Sequence, residues 1–331
     1  MLLADECEPV KGRSPWMKPG AAACIRSRPT CPALSQTGEG GPEPMSALRT
    51  SKHFRQIGER AYRCVAAPTG WLRMEPGFIV IGAQRCGTTS LFRALTAHPQ
   101  LVRPLFHKGV NYFDLNYYRG ADWYRSHFPL AEIARRRTAR YGPAMAFEAS
   151  GYYLYHPFAL PRLAGDLPAV KLVVMVRNPV ERAFSAYKHE YARGFEQESF
   201  ERALALEDER LAGEVDRMRG DPAYESFSHR HHSYRHRGQY AEQLERALAL
   251  IPAERVHVIQ SEAFFRQPAE EYRRLVAFLG LRSFEPADFG QHNSRQGAPM
   301  DPKTRRMLEE HFAPYDQRLA RMLGSPLHWS Y

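Results

Sequence analysis

The chain is poor in cysteine, with five among 331 residues, and no two of them form a C-x-x-C pair. Cys7, Cys24, Cys31 and Cys64 precede the first clear structural pattern, which leaves Cys86 alone inside it. An odd count without paired spacing argues against a disulfide framework and against a zinc site, and it fits a reducing compartment. No apolar run reaches the length of about 18 residues that a membrane span needs. The opening Met1-Leu2-Leu3-Ala4-Asp5-Glu6 has neither a basic n-region nor an apolar h-region, so no secretory signal is expected and a cytoplasmic location is. No internal repeat and no recognisable nucleic-acid module is visible. There is no acidic excess: 46 Lys and Arg face 36 Asp and Glu, a formal net charge of +10 that suits an anionic partner without choosing one.

Residues 1–44 hold seven prolines and five glycines without apolar periodicity, so disorder is expected there. Met45 then opens a plainer stretch: either translation begins at this residue or a flexible tail precedes the fold. Residues 45–76 read as a linker or one short amphipathic helix, and residues 77–331 as a single domain. In that domain Phe78–Ile81, Lys171–Val176 and Val256–Ile259 are short apolar runs of the kind buried in parallel sheets. Helical patterns fall near 88–96, 179–193, 197–212, 238–250, 269–279, 302–312 and 315–323. Strands alternating with helices imply an α/β fold, a P-loop-type parallel sheet flanked by helices.

Gly82-Ala83-Gln84-Arg85-Cys86-Gly87-Thr88-Thr89 joins the first strand to the first helix with the glycine spacing of a phosphate loop. Two glycines allow a tight turn, and the N–H groups at the helix start, with the positive pole of its dipole, favour an anion. The lysine that a nucleoside triphosphatase places after the second glycine is absent; Thr88 stands there, and the cation is Arg85. The second strand runs into Val176-Arg177-Asn178-Pro179-Val180-Glu181-Arg182-Ala183-Phe184-Ser185. Asn178 can cap and Pro179 suits a first helical turn. Arg177 then sits at the carboxyl end of a parallel strand, where open α/β sheets bind ligands, with Ser185 two turns on. Arg177 and Ser185 could hold a second phosphate, or Arg177 could pair with Glu181 on the surface.

Together, GAQRCGTTSL and VRNPVERAFSAYKH resemble the two phosphate-binding segments of the sulfotransferases that use 3'-phosphoadenosine 5'-phosphosulfate (PAPS). The likeness extends from Phe78 to Trp329 and is greatest to the heparan sulfate and bacterial branch. It implies sulfuryl transfer to a hydroxyl or amine of a carbohydrate or small metabolite, with PAPS as co-substrate and no metal. By resemblance, Arg85 stands where relatives carry Lys, and Gly87, Thr88 and Thr89 form the 5'-phosphate cradle; the Cys86 N–H at the helix start belongs to the same anion site. Arg177 and Ser185 match the 3'-phosphate ligands. Arg295, Gln296 and Gly297 resemble a loop closing over that phosphate, and Arg237 and Tyr240 resemble a segment lining the donor pocket.

Phe106-His107-Lys108-Gly109-Val110-Asn111-Tyr112-Phe113-Asp114 resembles the family's K-E-x-x-F-F-D segment, but the glutamate expected to be the base is Gly109. A hydroxyl acceptor still needs a proton acceptor. Asp114 is the first candidate, Glu148 the second and His107 the third, with Lys108 and Arg85 stabilising charge on the donor. Asp114 could equally be a structural carboxylate paired with Arg119 or Arg125. The aromatic stretch 116–124 suits a sugar face or core packing. His229–His236 lacks a completing ligand set for a metal and reads as a flexible basic loop. Two rival readings stay open: a P-loop kinase, and a non-catalytic binder of anionic glycans with a decayed donor site. Oligomeric state is not legible.

Overall fold

The computed structural model describes Gly58–Glu59 and residues 61–221, 223–290 and 299–329. The tail expected at 1–44 and the candidates Arg295, Gln296 and Gly297 lie outside the described residues. Residues 61–66 are helical and continue into a tight turn at Ala67–Leu72. They belong to the compact unit Thr50–Tyr331.

Five parallel strands make one sheet: β1 (Pro76–Gly82), β2 (Leu101–Val102), β3 (Met145–Glu148), β4 (Lys171–Val176) and β5 (Val256–Gln260), in the order β2-β3-β1-β4-β5. Every pairing is parallel. Phe78, Ile79, Val80 and Ile81 are all 0% exposed, as expected for a central strand covered on both faces. Burying each contributes about 1.5–3 kcal/mol. The chain leaves β1 toward β3 and β2 on one side and returns through β4 and β5 on the other. The strand order therefore reverses between β1 and β4, and a crevice opens beyond their carboxyl ends.

The helices that matter for the crevice are α1 (Thr88–Ala97), which follows β1, and α2 (Pro179–Ala192), which follows β4. Asn178 caps α2 by accepting from the N–H groups of Val180 and Glu181. Further along come α3 (Phe200–Leu211), α4 (Tyr240–Leu248), α5 (Pro268–Leu279) and α6 (Pro302–Leu323). The sequence pattern divides α6 at Pro314, yet the helix runs through it. An interior proline costs about 3 kcal/mol. Leu308, Phe312, Asp316 and Leu319 are buried on both sides of the break, and Trp329 Nε1 donates to Asp316 at 2.6 Å. Packing outweighs the lost hydrogen bond.

Candidate active site

β1 ends at Gly82, and the next N–H, of Ala83, donates to Met175 of β4 at 2.7 Å. This bond ties the loop to the point where the sheet reverses. Arg85 adopts φ 71°, in the left-handed region, and Gly87 caps α1 at φ 83°. Such a conformation at a non-glycine residue persists only where its surroundings enforce it. A Cβ on Gly87 would also stand 3.0 Å from the Phe265 ring. The first turn of α1 leaves its N–H groups without intrahelical acceptors, at the positive end of the dipole.

Two distant segments converge on this loop. Arg85 Nε donates to Ser185 Oγ at 3.1 Å, joining the loop to α2. Lys108 Nζ donates to Thr88 Oγ1 at 2.9 Å and to Thr89 Oγ1 at 3.3 Å. Burial, and then the charge of Arg85, push the Lys108 ammonium down to about 8. Arg177 is half-buried at the end of β4, and no carboxylate among the described residues is paired with it. Its alternative partner Glu181 binds Arg305 instead, at 2.6 Å.

Three donor-pocket candidates serve the loop from below. Cys86 is 0% and Tyr240 is 1% exposed, and thiol and phenol meet at 3.4 Å. Burial pushes the Cys86 thiol up to about 11, against the pull of Tyr240, Arg182 and Arg177. These two side chains are buried in the core. Arg237 is buried as well. It donates to Gln84 Oε1 and to the carbonyls of His229 and Arg230, and it lies over the rings of Tyr152 and Tyr155. Tyr240 and Arg237, expected to line the donor pocket, are buried against the loop and support it from beneath.

Arg182, to which the sequence pattern assigns no role, is 0% exposed and donates to the Gln84 carbonyl at 3.2 Å and to that of Tyr234 at 2.8 Å. Arg182 and Arg237 thus grip one loop residue from both sides. Each donates to neutral acceptors, so their charge adds to the positive potential beneath the loop. The clue was its place beside Val180, Ala183 and Ala186, the buried face of α2. The expected flexible loop at 229–236 is not one either. Phe227–His231 is a short helix, His229 is 4% exposed, and Arg235 and His236 are held by Glu207 and Asp208.

Beside Lys108 lies a cavity of about 1140 Å³. His107, Gly109, Arg63, Arg119, Trp123 and His127 are among its lining residues. The Arg119 guanidinium sits 5.3 Å from the Trp123 ring centre, a cation–aromatic pair on the wall. His107 Nε2 meets Glu59 Oε2 at 2.9 Å. Burial lowers His127 to about 4; its Nδ1 binds the Trp123 carbonyl and its Nε2 faces Arg63. A Cβ on Gly109 would stand 2.6 Å from both the Ala149 carbonyl and Ser150 Oγ. The glycine is therefore fitted to its neighbours.

The carboxylate candidates lie deeper. Glu148 is 0% exposed. Its oxygens accept from Val110 N–H at 2.7 Å, Ser150 Oγ at 2.6 Å, Tyr124 OH at 2.9 Å and Tyr153 OH at 3.0 Å. Such a carboxylate organises the wall and has little capacity left for an acceptor. Asp114 is 7% exposed and does not line the cavity. Its Oδ1 accepts from Leu115 N–H at 2.7 Å, while Oδ2 is buried without a partner. Burial chiefly, and then Glu148, push it up to about 7. Neither expected arginine pairs with it: Arg125 binds Glu75 and Asp122, and Arg119 binds Asn116.

Known proteins resemble this chain in sequence or in fold. A sulfotransferase from Alicyclobacillus acidocaldarius superposes with a TM-score of 0.57 at 32% identity, over 77% of this chain and 98% of that one. The membrane-associated sulfotransferase kil1 of Dictyostelium discoideum is 26% identical, over 78% of this chain and 68% of its own length. A bifunctional heparan sulfate N-deacetylase/N-sulfotransferase of Drosophila melanogaster is 25% identical over 75% of this chain, which spans only 26% of that protein. The sequence profile of the Sulfotransferase family matches residues 76–286. With its phosphate loop, its second cationic corner and these relatives, the chain belongs to the sulfotransferase family and is a transferase of sulfuryl groups.

Proposed function

We propose that the chain moves a sulfuryl group from PAPS to a hydroxyl or amine of a carbohydrate or small-molecule acceptor. The contact that carries this reading is Arg85 to Ser185. It brings the loop after β1 and the helix after β4 to one site, as a nucleotide with separated 5' and 3' phosphates requires. The 5'-phosphosulfate would lie on the first turn of α1 with Arg85 and Lys108. The 3'-phosphate would take Arg177 and Ser185, by charge and by hydroxyl. Arg85 and Lys108 face the charge that develops on the leaving phosphate oxygen.

The rival kinase reading fares worse at the loop hydroxyls. Nucleoside triphosphatases use a P-loop hydroxyl to hold Mg²⁺. Here Thr88 and Thr89 both receive the Lys108 ammonium. The binder reading rested on the missing glutamate, and the close packing of Gly109 gives that residue a structural purpose. A carbohydrate acceptor is supported by the Drosophila relative, whose name carries heparan sulfate, and by the arginines and Trp123 of the cavity. A thermal-shift comparison tests the donor. Stabilisation by 3'-phosphoadenosine 5'-phosphate (PAP) and not by ATP–Mg²⁺ is expected; the reverse result rejects the reading.

A further inference from the structure

Resting on the sulfuryl-transfer reading, one question is which group takes the acceptor's proton. Position 109 has no side chain and no room for one. Glu148 is committed to four donors. Asp114 is off the cavity, and both nitrogens of His127 are engaged. Asp122 lies on the cavity but is bound to Arg125. His107 has a different position. It lines the cavity next to Lys108 with its side chain 56% exposed, whereas that of Glu59 is 5% exposed.

We propose that His107, oriented by Glu59, is the acceptor-activating base. An ionised carboxylate only accepts hydrogen bonds. In this proposal Glu59 is the acceptor, so Nε2 of His107 carries the proton toward it and Nδ1 presents its lone pair. This is the base-and-orienter logic of hydrolase triads, in which the carboxylate fixes the tautomer and stabilises the imidazolium. In the step itself the acceptor O–H gives its proton to Nδ1 while its oxygen bonds to sulfur. The bond between sulfur and the donor's phosphate oxygen breaks, and its electron pair leaves with that oxygen. The imidazolium, paired with Glu59, then returns its proton to solvent. Glu59 is a positioning residue; His107 stands two places before Gly109, on a side chain supported from the region before β1.

The test uses the full chain with labelled PAPS and an acceptor pool of desulfated heparan oligosaccharide and 4-nitrophenol, with PAP affinity measured by calorimetry on the same preparations. Wild-type protein that neither binds PAP nor transfers the label counts against sulfuryl transfer itself, and this is read first. General-base catalysis is worth on the order of 10²–10⁴ in rate. His107→Ala is expected to lose at least about 100-fold in turnover, keep its PAP affinity, and regain part of the rate with added imidazole. Glu59→Gln is expected to lower kcat with KM and PAP affinity unchanged, and Glu59→Asp to recover part of the loss. Wild-type turnover in His107→Ala overturns the proposal. So does a loss accompanied by weakened PAP binding and no imidazole rescue, which would make His107 structural.

Discussion

Arg85 and Ser185, separated by 100 positions in the chain, meet at 3.1 Å across the crevice. The first belongs to the loop after β1 and the second to the helix after β4, so the contact measures how closely the two corners face each other. It also means that a donor nucleotide would compete with an existing bond. Arg85→Ala and Arg177→Ala are each expected to weaken PAP binding by more than about 1 kcal/mol, as charge-assisted hydrogen bonds do. Ser185→Ala should cost less, because it removes one neutral hydroxyl and leaves the charges of Arg85 and Arg177 in place. Calorimetry of the single and double variants measures this coupling; unchanged affinity in both arginine variants removes the donor-site assignment.

Lys108 gives that affinity a pH dependence. Its ammonium is lowered to about 8 from the usual lysine value of 10.5 because it is buried beside Arg85. Below pH 8 it is charged and ready for an anion. Above pH 8 it is neutral in the free protein, and binding must take up a proton, so affinity falls by up to about tenfold per pH unit. Calorimetry at pH 7 and 9, in buffers of different ionisation enthalpy, should show lower affinity and proton uptake at pH 9. Both effects should vanish in Lys108→Ala. An affinity flat from 7 to 9 in the native chain would show that Lys108 does not meet the ligand.

The two strand–loop–helix corners of this site are readable from the chain because they depend on local rules. A strand, two glycines and a hydroxyl-rich helix start dictate an anion cradle wherever they occur. Asn178-Pro179 dictates a helix start after Arg177 in the same way. Three of the five strands are visible as apolar runs for a similar reason. β2 has only two residues and β3 four, too short for a pattern. The roles of Arg237, Tyr240 and Glu148 were not readable. Each depends on which partner a distant segment supplies: Gln84 for Arg237, Cys86 for Tyr240, and Tyr124 with Tyr153 for Glu148. Residue type gave the chemistry of these groups, but only the packed fold shows that they point inward.

Gly109 tests whether the position can accept a glutamate. A Cβ there would stand 2.6 Å from the Ala149 carbonyl, which is backbone and cannot swing aside. Ala149 N–H also donates to the Lys108 carbonyl at 2.9 Å, so displacing it disturbs the lysine. Gly109→Ala is expected to destabilise the fold by about 1–3 kcal/mol, the usual cost of overpacking. Gly109→Glu should do the same and gain no activity. Chemical denaturation together with the sulfuryl-transfer assay decides it. Higher turnover in Gly109→Glu at undiminished stability would show that the wall yields and that a carboxylate at position 109 can serve as base.

Arg182 and Arg237 converge on Gln84 and receive no carboxylate there, an arrangement that serves the loop at a cost in burial. Gln84→Ala removes the side-chain acceptor of Arg237 but keeps the backbone carbonyl that holds Arg182. It is expected to lower stability by about 1–3 kcal/mol, the penalty for a buried donor left unpaired. PAP affinity should also fall, because the loop loses one of the two arginine contacts on Gln84. A Gln84→Ala protein with native stability and native PAP affinity would show that the buried arginines act independently of the loop.

Asp114 carries the clearest signature of stability against pH. Its carboxyl is held at about 7 in the fold, against an ordinary value of 3.8, because it is buried with Oδ2 unpartnered and Glu148 nearby. Below pH 3.8 the group is protonated whether the chain is folded or not, and it contributes nothing. Between 3.8 and 7 the unfolded chain releases this proton and the folded chain keeps it, so stability declines as pH rises. Above 7 the fold carries a buried charge and the cost stays constant. Asp114→Asn retains the oxygen that accepts from Leu115 and removes the charge. It should therefore be more stable than the native chain by about 1–3 kcal/mol at pH 8 and lose that advantage near pH 4. Denaturation midpoints at the two pH values measure the difference directly. An advantage of equal size at both would mean that shape, not ionisation, separates the two side chains.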